Sequence, residues 1–340
     1  MRKIISLICF LLPVLAFAAQ PETLPELRKD APDLHIVVKG DTLWDISGKF
    51  FKDPWRWPYI WGMNKDTIRD PHWIYPGDVI ILNRVNGTLR IGHAGKNGMV
   101  KLSPKVRESY SDHDAIPSIP AGDIGPFLSQ PLIVEEGELK DAPVLIGARE
   151  GRVALGAPDT AFAKGLPADK GNKWQIYRTG KTFVDPDTNE ALGVEAIYLG
   201  DVEVSDFADV STVLITRSVQ EIYKGDRLVV VSGDTLGTYL PRAPTASILA
   251  RIISIYGGVS QAGQGAIVTL SKGKRDGLES GHVLALYSKG EIVKNGEERI
   301  SLPDERYGLI FVFRVFDKVS YALVMQAKLP VQLLDQAKKP

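Results

Sequence analysis

The chain has 340 residues, 41 lysines and arginines against 41 aspartates and glutamates, and no formal net charge. That balance, without any basic run, offers no electrostatic footprint for nucleic acid or an anionic membrane surface. The length suits two or three domains, and the single cysteine, Cys9, excludes a disulfide scaffold.

Met1-Arg2-Lys3 leads into an apolar stretch from Ile4 to Leu15 and then Ala16-Phe17-Ala18. A basic start, a short apolar middle and a small-x-small end describe a secretory signal, residues 1–18, cut before Ala19. The apolar run falls short of the roughly 18–20 residues that span a bilayer, and no later segment is apolar enough to cross one. Cys9 lies within the signal behind Ile8, which does not fit a lipid-anchor signal. Cleavage removes Arg2 and Lys3 and no acid, leaving 39 basic residues against 41 acidic and no thiol. The exported chain must then hold together by packing alone.

Residues 19–34, with Pro21, Pro25 and Pro32 among charges, read as a flexible leader. Residues 35–83 carry five of the six tryptophans, Trp44, Trp55, Trp57, Trp61 and Trp73. So short a segment needs large rings to enclose a core. His35-Ile36-Val37-Val38 alternates and is β-branched, which predicts a strand. Gly40 allows a tight turn, and either Asp41 or Thr42 caps a helix beginning at Leu43. Trp44, Ile46, Phe50 and Phe51 supply its buried side. Pro54 opens a second helix in which Trp57, Ile60 and Trp61 recur at helical spacing. Tyr75-Pro76-Gly77-Asp78 is a turn, and Val79 to Leu82 a returning strand. Helical phase assigns Trp44 and Trp61 to the core. Trp55 and Trp73, beside charges and prolines, either widen a binding surface or pack.

The phrases Val38-Lys39-Gly40-Asp41-Thr42-Leu43-Trp44-Asp45-Ile46 and Ile74-Tyr75-Pro76-Gly77-Asp78-Val79-Ile80, with Asn64 between them, resemble the LysM domain, a peptidoglycan- and chitin-binding family. The resemblance implies a small α+β βααβ fold over 35–83. It also implies a shallow groove for glycans containing N-acetylglucosamine. One wall would be Gly40, Asp41, Thr42 and Leu43; the other would be Asn64, Lys65, Ile74, Tyr75 and Pro76. Neither a cofactor nor a metal is called for. Asp41 is as readily a helix cap as a ligand contact. The segment between the two phrases is longer and richer in aromatics than a minimal member of the family.

From residue 84 to 140 the texture turns to glycine and proline with little periodicity, a linker. The remainder is strand-like, with short β-branched or aromatic runs at 202–204, 213–215, 228–231, 252–255, 266–270, 283–287 and 309–313. There is an internal echo. Gly200 to Thr216 resembles Gly308 to Met325, Trp174-Gln175-Ile176-Tyr177 resembles Val283-Leu284-Ala285-Leu286, and Arg152 to Leu155 stands where Ala266 to Leu270 does. These matches predict two mainly-β domains, 141–240 and 246–336, as degenerate copies, against the alternative that short meanders share alternation by chance.

Thiol-dependent peptidases and transpeptidases are excluded once Cys9 is removed. The histidines, 35, 72, 93, 113 and 282, form no HExxH motif, and no Gly-x-Ser-x-Gly elbow is present. The expectation is a non-enzymatic peptidoglycan-binding envelope protein, with residues 142–336 as a platform for another envelope protein. The alternative is a cell-wall hydrolase whose active site, in the β-region, carries no familiar motif. In layout the whole chain is similar to uncharacterised exported LysM-containing proteins of Gram-negative bacteria, which implies a periplasmic location.

Overall fold

A computed structural model describes residues 25–66, 74–94, 100–101, 133–134, 139–148, 151–231, 240–256, 260–290, 292–295 and 298–340. The signal segment, Trp73, His72, His113 and most of the stretch read as a linker lie outside the described residues.

The N-terminal module contains β1 (Leu34–Ile36), α1 (Leu43–Phe50), a 3-10 turn at Pro54–Arg56, α2 (Pro58–Gly62) and β2 (Asp78–Asn83). Strands β1 and β2 are antiparallel, with His35 opposite Ile80. Thr42 caps α1: its Oγ1 accepts from Asp45 N at 3.1 Å and donates to the Asp45 carboxylate at 2.7 Å. This closes the first helical turn. Leu43, Trp44, Ile46 and Phe50 are buried along α1, and Phe51 just beyond it.

Two segments differ from expectation. Residues 26–33 are a bonded strap: Lys52 N donates to Glu26 O, and Arg28 N and Nη1 donate to Phe50 O and Gly48 O at 2.8 and 3.0 Å. A helix ends with unpaired carbonyls, and the strap satisfies those of Gly48 and Phe50 while burying its own Ala31. The stretch read as a linker contributes β3 (Thr88–Ala94), which pairs with β2 along its length, and β4 (Val100–Lys101) on β3. The sheet is therefore four-stranded, in the order β1-β2-β3-β4. Leu89 and Ile91 are the apolar residues of β3 that are buried among those whose side chains are described, and two alternate residues after Asn86-Gly87 are too brief a pattern to stand out.

All seven runs read as strands lie within or largely within strands. They belong to two rings. The first unit comprises β5 (Ile133–Val134), β6 (Val144–Ala148), β7 (Ala154–Leu155), β8 (Thr160–Lys164), β9 (Lys173–Val184), β10 (Ala191–Asp206), β11 (Val210–Ser218), β12 (Ile222–Tyr223) and β13 (Arg227–Val230). Its strands run β6-β8-β11-β10-β9-β13 and return to β6, with β5 added outside on β10. The second unit comprises β14 (Leu249–Ile255), β15 (Gln261–Ala262), β16 (Ile267–Leu270), β17 (Val283–Ser288), the hairpin β18 (Ile292–Asn295) and β19 (Glu298–Ser301), β20 (Glu305–Val315), β21 (Ser320–Ala327), β22 (Val331–Gln332) and β23 (Gln336–Lys338). Its closed barrel runs β14-β16-β21-β20-β17-β23. The short pairs β7–β12 and β15–β22 stand at corresponding places.

The two rings thus share one strand order. Residues that fill their interiors match as well: Val202, Val204, Val213 and Ile215 in the first correspond to Ile310, Val312, Ala322 and Val324 in the second. Two of the sequence alignments shift. Trp174 and Ile176 face inward like Leu284 and Leu286, one residue on from the match read in the sequence. The counterpart of β16 is β8, not the segment at Arg152–Leu155, because Ala161 pairs with Val213 as Val268 pairs with Ala322.

A third core lies outside both interiors. On β17, β20 and β21 the side chains that point away from the barrel centre, Val283, Ala285, Leu309, Phe311, Phe313, Tyr321, Leu323 and Met325, are also buried. They share one cluster with Tyr177, Leu192, Val194 and Tyr198 of the first ring and with the tryptophan-rich core of the N-terminal module. Strands covered on both faces read as continuous apolar runs, which explains Leu309 to Phe313. Ion pairs rim the contact between the rings. Asp185 lies 3.0 Å from Lys272, Asp187 3.1 Å from Arg251, and Glu190 2.6 Å from Arg275 and 2.9 Å from Lys318. Asp53 of the N-terminal module is 3.1 Å from Arg306 of the barrel.

Candidate functional site

Strand β1 runs out through Val37 into the loop Val38–Thr42, and β2 is entered through the turn Tyr75–Asp78. Val37 joins the two: its N–H donates to Asp78 O and its carbonyl accepts from Gly77 N, both at 2.8 Å. The two loops therefore stand side by side at one end of the sheet. Each is a four-residue turn with glycine in the left-handed region, Gly40 at φ 98° and Gly77 at φ 97°, where other residues pay steric strain. Each is closed by an aspartate, whose carboxylate accepts the N–H of the first turn residue: Val38 to Asp41 and Tyr75 to Asp78, both at 3.0 Å.

Asp41 has further partners. His35 Nε2 lies 2.8 Å from Oδ2, and Lys49 Nζ 3.6 Å from Oδ1. Burial pushes the Asp41 carboxyl up, but the Val38 N–H, His35 and Lys49 together outweigh it and hold the group below the usual carboxylate range. Asp41 is thus neither the cap of α1, which is Thr42, nor a carboxylate without partners.

The nine residues of the implied groove divide by exposure. Gly40 and Lys65 are exposed, and Asp41, Tyr75 and Pro76 are half-buried. Thr42, Leu43, Asn64 and Ile74 are buried. Asn64 is built into the fold: its Nδ2 donates to Ile60 O at 2.6 Å and Leu89 O at 2.8 Å, and its Oδ1 accepts from Ile91 N at 3.0 Å. It ties α2 to β3. Lys65 Nζ stands 4.8 Å over the Trp61 ring.

The tryptophans divide differently from their helical phase. Trp44, Trp55 and Trp57 are buried, Trp57 completely, while Trp61 is only half-buried. Trp55 is covered by the Arg56 guanidinium, 4.6 Å from its ring, and Arg56 also lies 5.4 Å over Tyr59. The reason is local: the 3-10 turn before α2 rotates the rings relative to a continuous helix. His35 and Lys49 carried no pattern by which to single them out.

Residues 35–83 match the family model of the LysM domain. This segment is a LysM domain. Its two helices lie between the paired strands in chain order, and β3 and β4 extend the sheet beyond the family's two strands. The chain is also similar to a protein of Bacillus subtilis (strain 168) described as "Uncharacterized protein YqbP", with 48% identity over 58 residues. That alignment covers 14% of this chain and 26% of YqbP, so the chain spans about a quarter of that relative. The LysM domain supports a role in binding peptidoglycan or a related glycan. Among the described residues, no helix is long and apolar enough to cross a membrane.

Proposed function

We propose that the protein is a non-catalytic peptidoglycan-binding component of the cell envelope, exported to the periplasm of a Gram-negative bacterium. The LysM domain takes a glycan containing N-acetylglucosamine between the loops 38–42 and 74–77. The observation that carries this reading is the clasp at Val37, which sets the two LysM signature loops edge to edge. An N-acetyl group offers one amide donor and one acceptor. The exposed backbone of Lys39 and Gly40 meets those, while Tyr75 and Pro76 give an apolar surface for a sugar face. Thr42, Leu43, Asn64 and Ile74 serve by shaping the walls from behind.

The two rings are, in this reading, a duplicated unit that serves as a platform for another envelope protein. Their common strand order, the matching interior residues and the paired glycines Gly200 and Gly308 support duplication. The test uses the purified protein and isolated sacculi. Co-sedimentation with the sacculi is expected, and protein left wholly in the supernatant refutes glycan binding. Mass spectrometry of the same supernatant decides the catalytic question, since released muropeptides would make the protein a hydrolase.

A further inference from the structure

The first wall of the groove has a feature that its signature phrase does not explain. Val38, Lys39 and Gly40 are exposed, so apolar packing does not fix the loop's shape. Polar contacts do, and they converge on one imidazole. His35 comes from the middle of β1, Asp41 from the loop and Lys49 from the last turn of α1. The Lys49 ammonium stands 3.2 and 3.4 Å from the two ring nitrogens. A carboxylate only accepts, so Nε2 donates to Asp41, at 2.8 Å. Lys49 Nζ is nearer Nε2 than Nδ1 and also lies 3.6 Å from Asp41 Oδ1, so it supports the pair through its charge on the carboxylate. His35 and Asp41 are only 15% and 11% exposed, whereas Lys49 is 40% exposed, so the stronger link is the one between ring and carboxylate.

We propose that His35, seconded by Lys49, is the positioning residue of the glycan-binding loop. Its ring holds Asp41, Asp41 holds the Val38 N–H, and the backbone of Lys39 and Gly40 is thereby set in the form that meets the ligand. His35 itself touches no ligand. This inference rests on the glycan-binding reading given above.

Calorimetric titration of the full chain with chitopentaose tests it. His35→Gln places an amide N–H about where Nε2 stands and is expected to bind within about twofold of the parent. His35→Asn is one bond too short; losing the hydrogen bond to the Asp41 carboxylate, it is expected to melt somewhat lower and, while folded at the assay temperature, to bind about tenfold more weakly. Equal binding by His35→Asn and the parent overturns the proposal, as does a His35→Gln variant as weak as His35→Asn. If His35→Asn melts below the assay temperature, Lys49→Met decides. A loss of about two- to threefold then supports the proposal, in line with a part-exposed contact, and no loss overturns it. A parent protein that binds neither chitopentaose nor sacculi overturns the glycan reading and this inference together. A parent that binds while every variant matches it overturns the inference alone.

Discussion

Gly200 and Gly308 occupy the same place in the two rings, each facing a backbone carbonyl of the next strand. A Cβ at Gly200 would lie 2.1 Å from Arg217 O, and one at Gly308 2.5 Å from Gln326 O. Both sit beside register shifts at which a long strand bends round its ring. No side chain yields in these contacts, because the obstacle is backbone. Gly308→Ala is therefore expected to destabilise the protein by about 2–3 kcal/mol, the upper range for overpacking, and Gly200→Ala by at least as much. Urea unfolding measures this, and a midpoint unchanged in either variant contradicts the geometry.

The contact between the rings should weaken in acid. Glu190 is held down to about 2 by Arg275 first and then Lys318. The Asp185 carboxyl, although burial raises it, is brought below its ordinary range by the Asp187 N–H and Lys272. A depressed carboxylate contributes stability that is complete above its unfolded pKa and is lost as pH falls through its folded one. Thermal stability should thus hold from neutral pH to about 4.5 and fall between there and about 2. In Glu190→Gln part of that slope should disappear, as melting curves across this range will show; an identical slope speaks against the pairing.

Asn64 should matter to stability through its own buried hydrogen bonds, without touching a ligand. Replacing it with alanine leaves the buried N–H of Ile91 and the carbonyls of Ile60 and Leu89 without those bonds. The expected cost is about 2–4 kcal/mol, with hydrogen exchange rising in β3 before the rest of the sheet. Unchanged protection at Ile91 would argue against this role.

Trp57 and Trp61 offer a contrast within one turn of chain. Trp57→Ala empties a fully enclosed site and should cost about 3–5 kcal/mol, whereas Trp61→Ala should cost about half that or less. Fluorescence separates them further: Trp61 is the ring open to an aqueous quencher such as iodide. Equal losses of stability would contradict their different burial.

The LysM domain was legible because its loops need particular chemistry. Glycine at left-handed positions, aspartate closing each turn and threonine capping α1 are demands of local backbone geometry, and they leave fixed letters in the chain. The strands of the rings were legible for a similar reason, through β-branched runs between turns. What escaped notice depends on distant packing. Leu89 and Ile91 mark a strand only because β2 lies beside them, and Arg28 caps α1 across an interval with no periodic signal. Trp55, which the sequence left open between widening a binding surface and packing, is buried with Arg56 lying across it. Of the nine residues that the family resemblance implied for the walls of a groove, four are buried: Thr42, Leu43, Asn64 and Ile74. The His35 contact with Asp41 has no pattern at all.

The cluster that joins the tryptophan-rich core to the outer face of β17, β20 and β21 bears on any attempt to take the protein apart. Excising residues 35–83 would strip apolar cover from what remains, and the amputated rings would become sticky as well as lose a binding site. A deletion phenotype would then mix two causes. Point changes at the loops, which leave that seam intact, are the cleaner instrument.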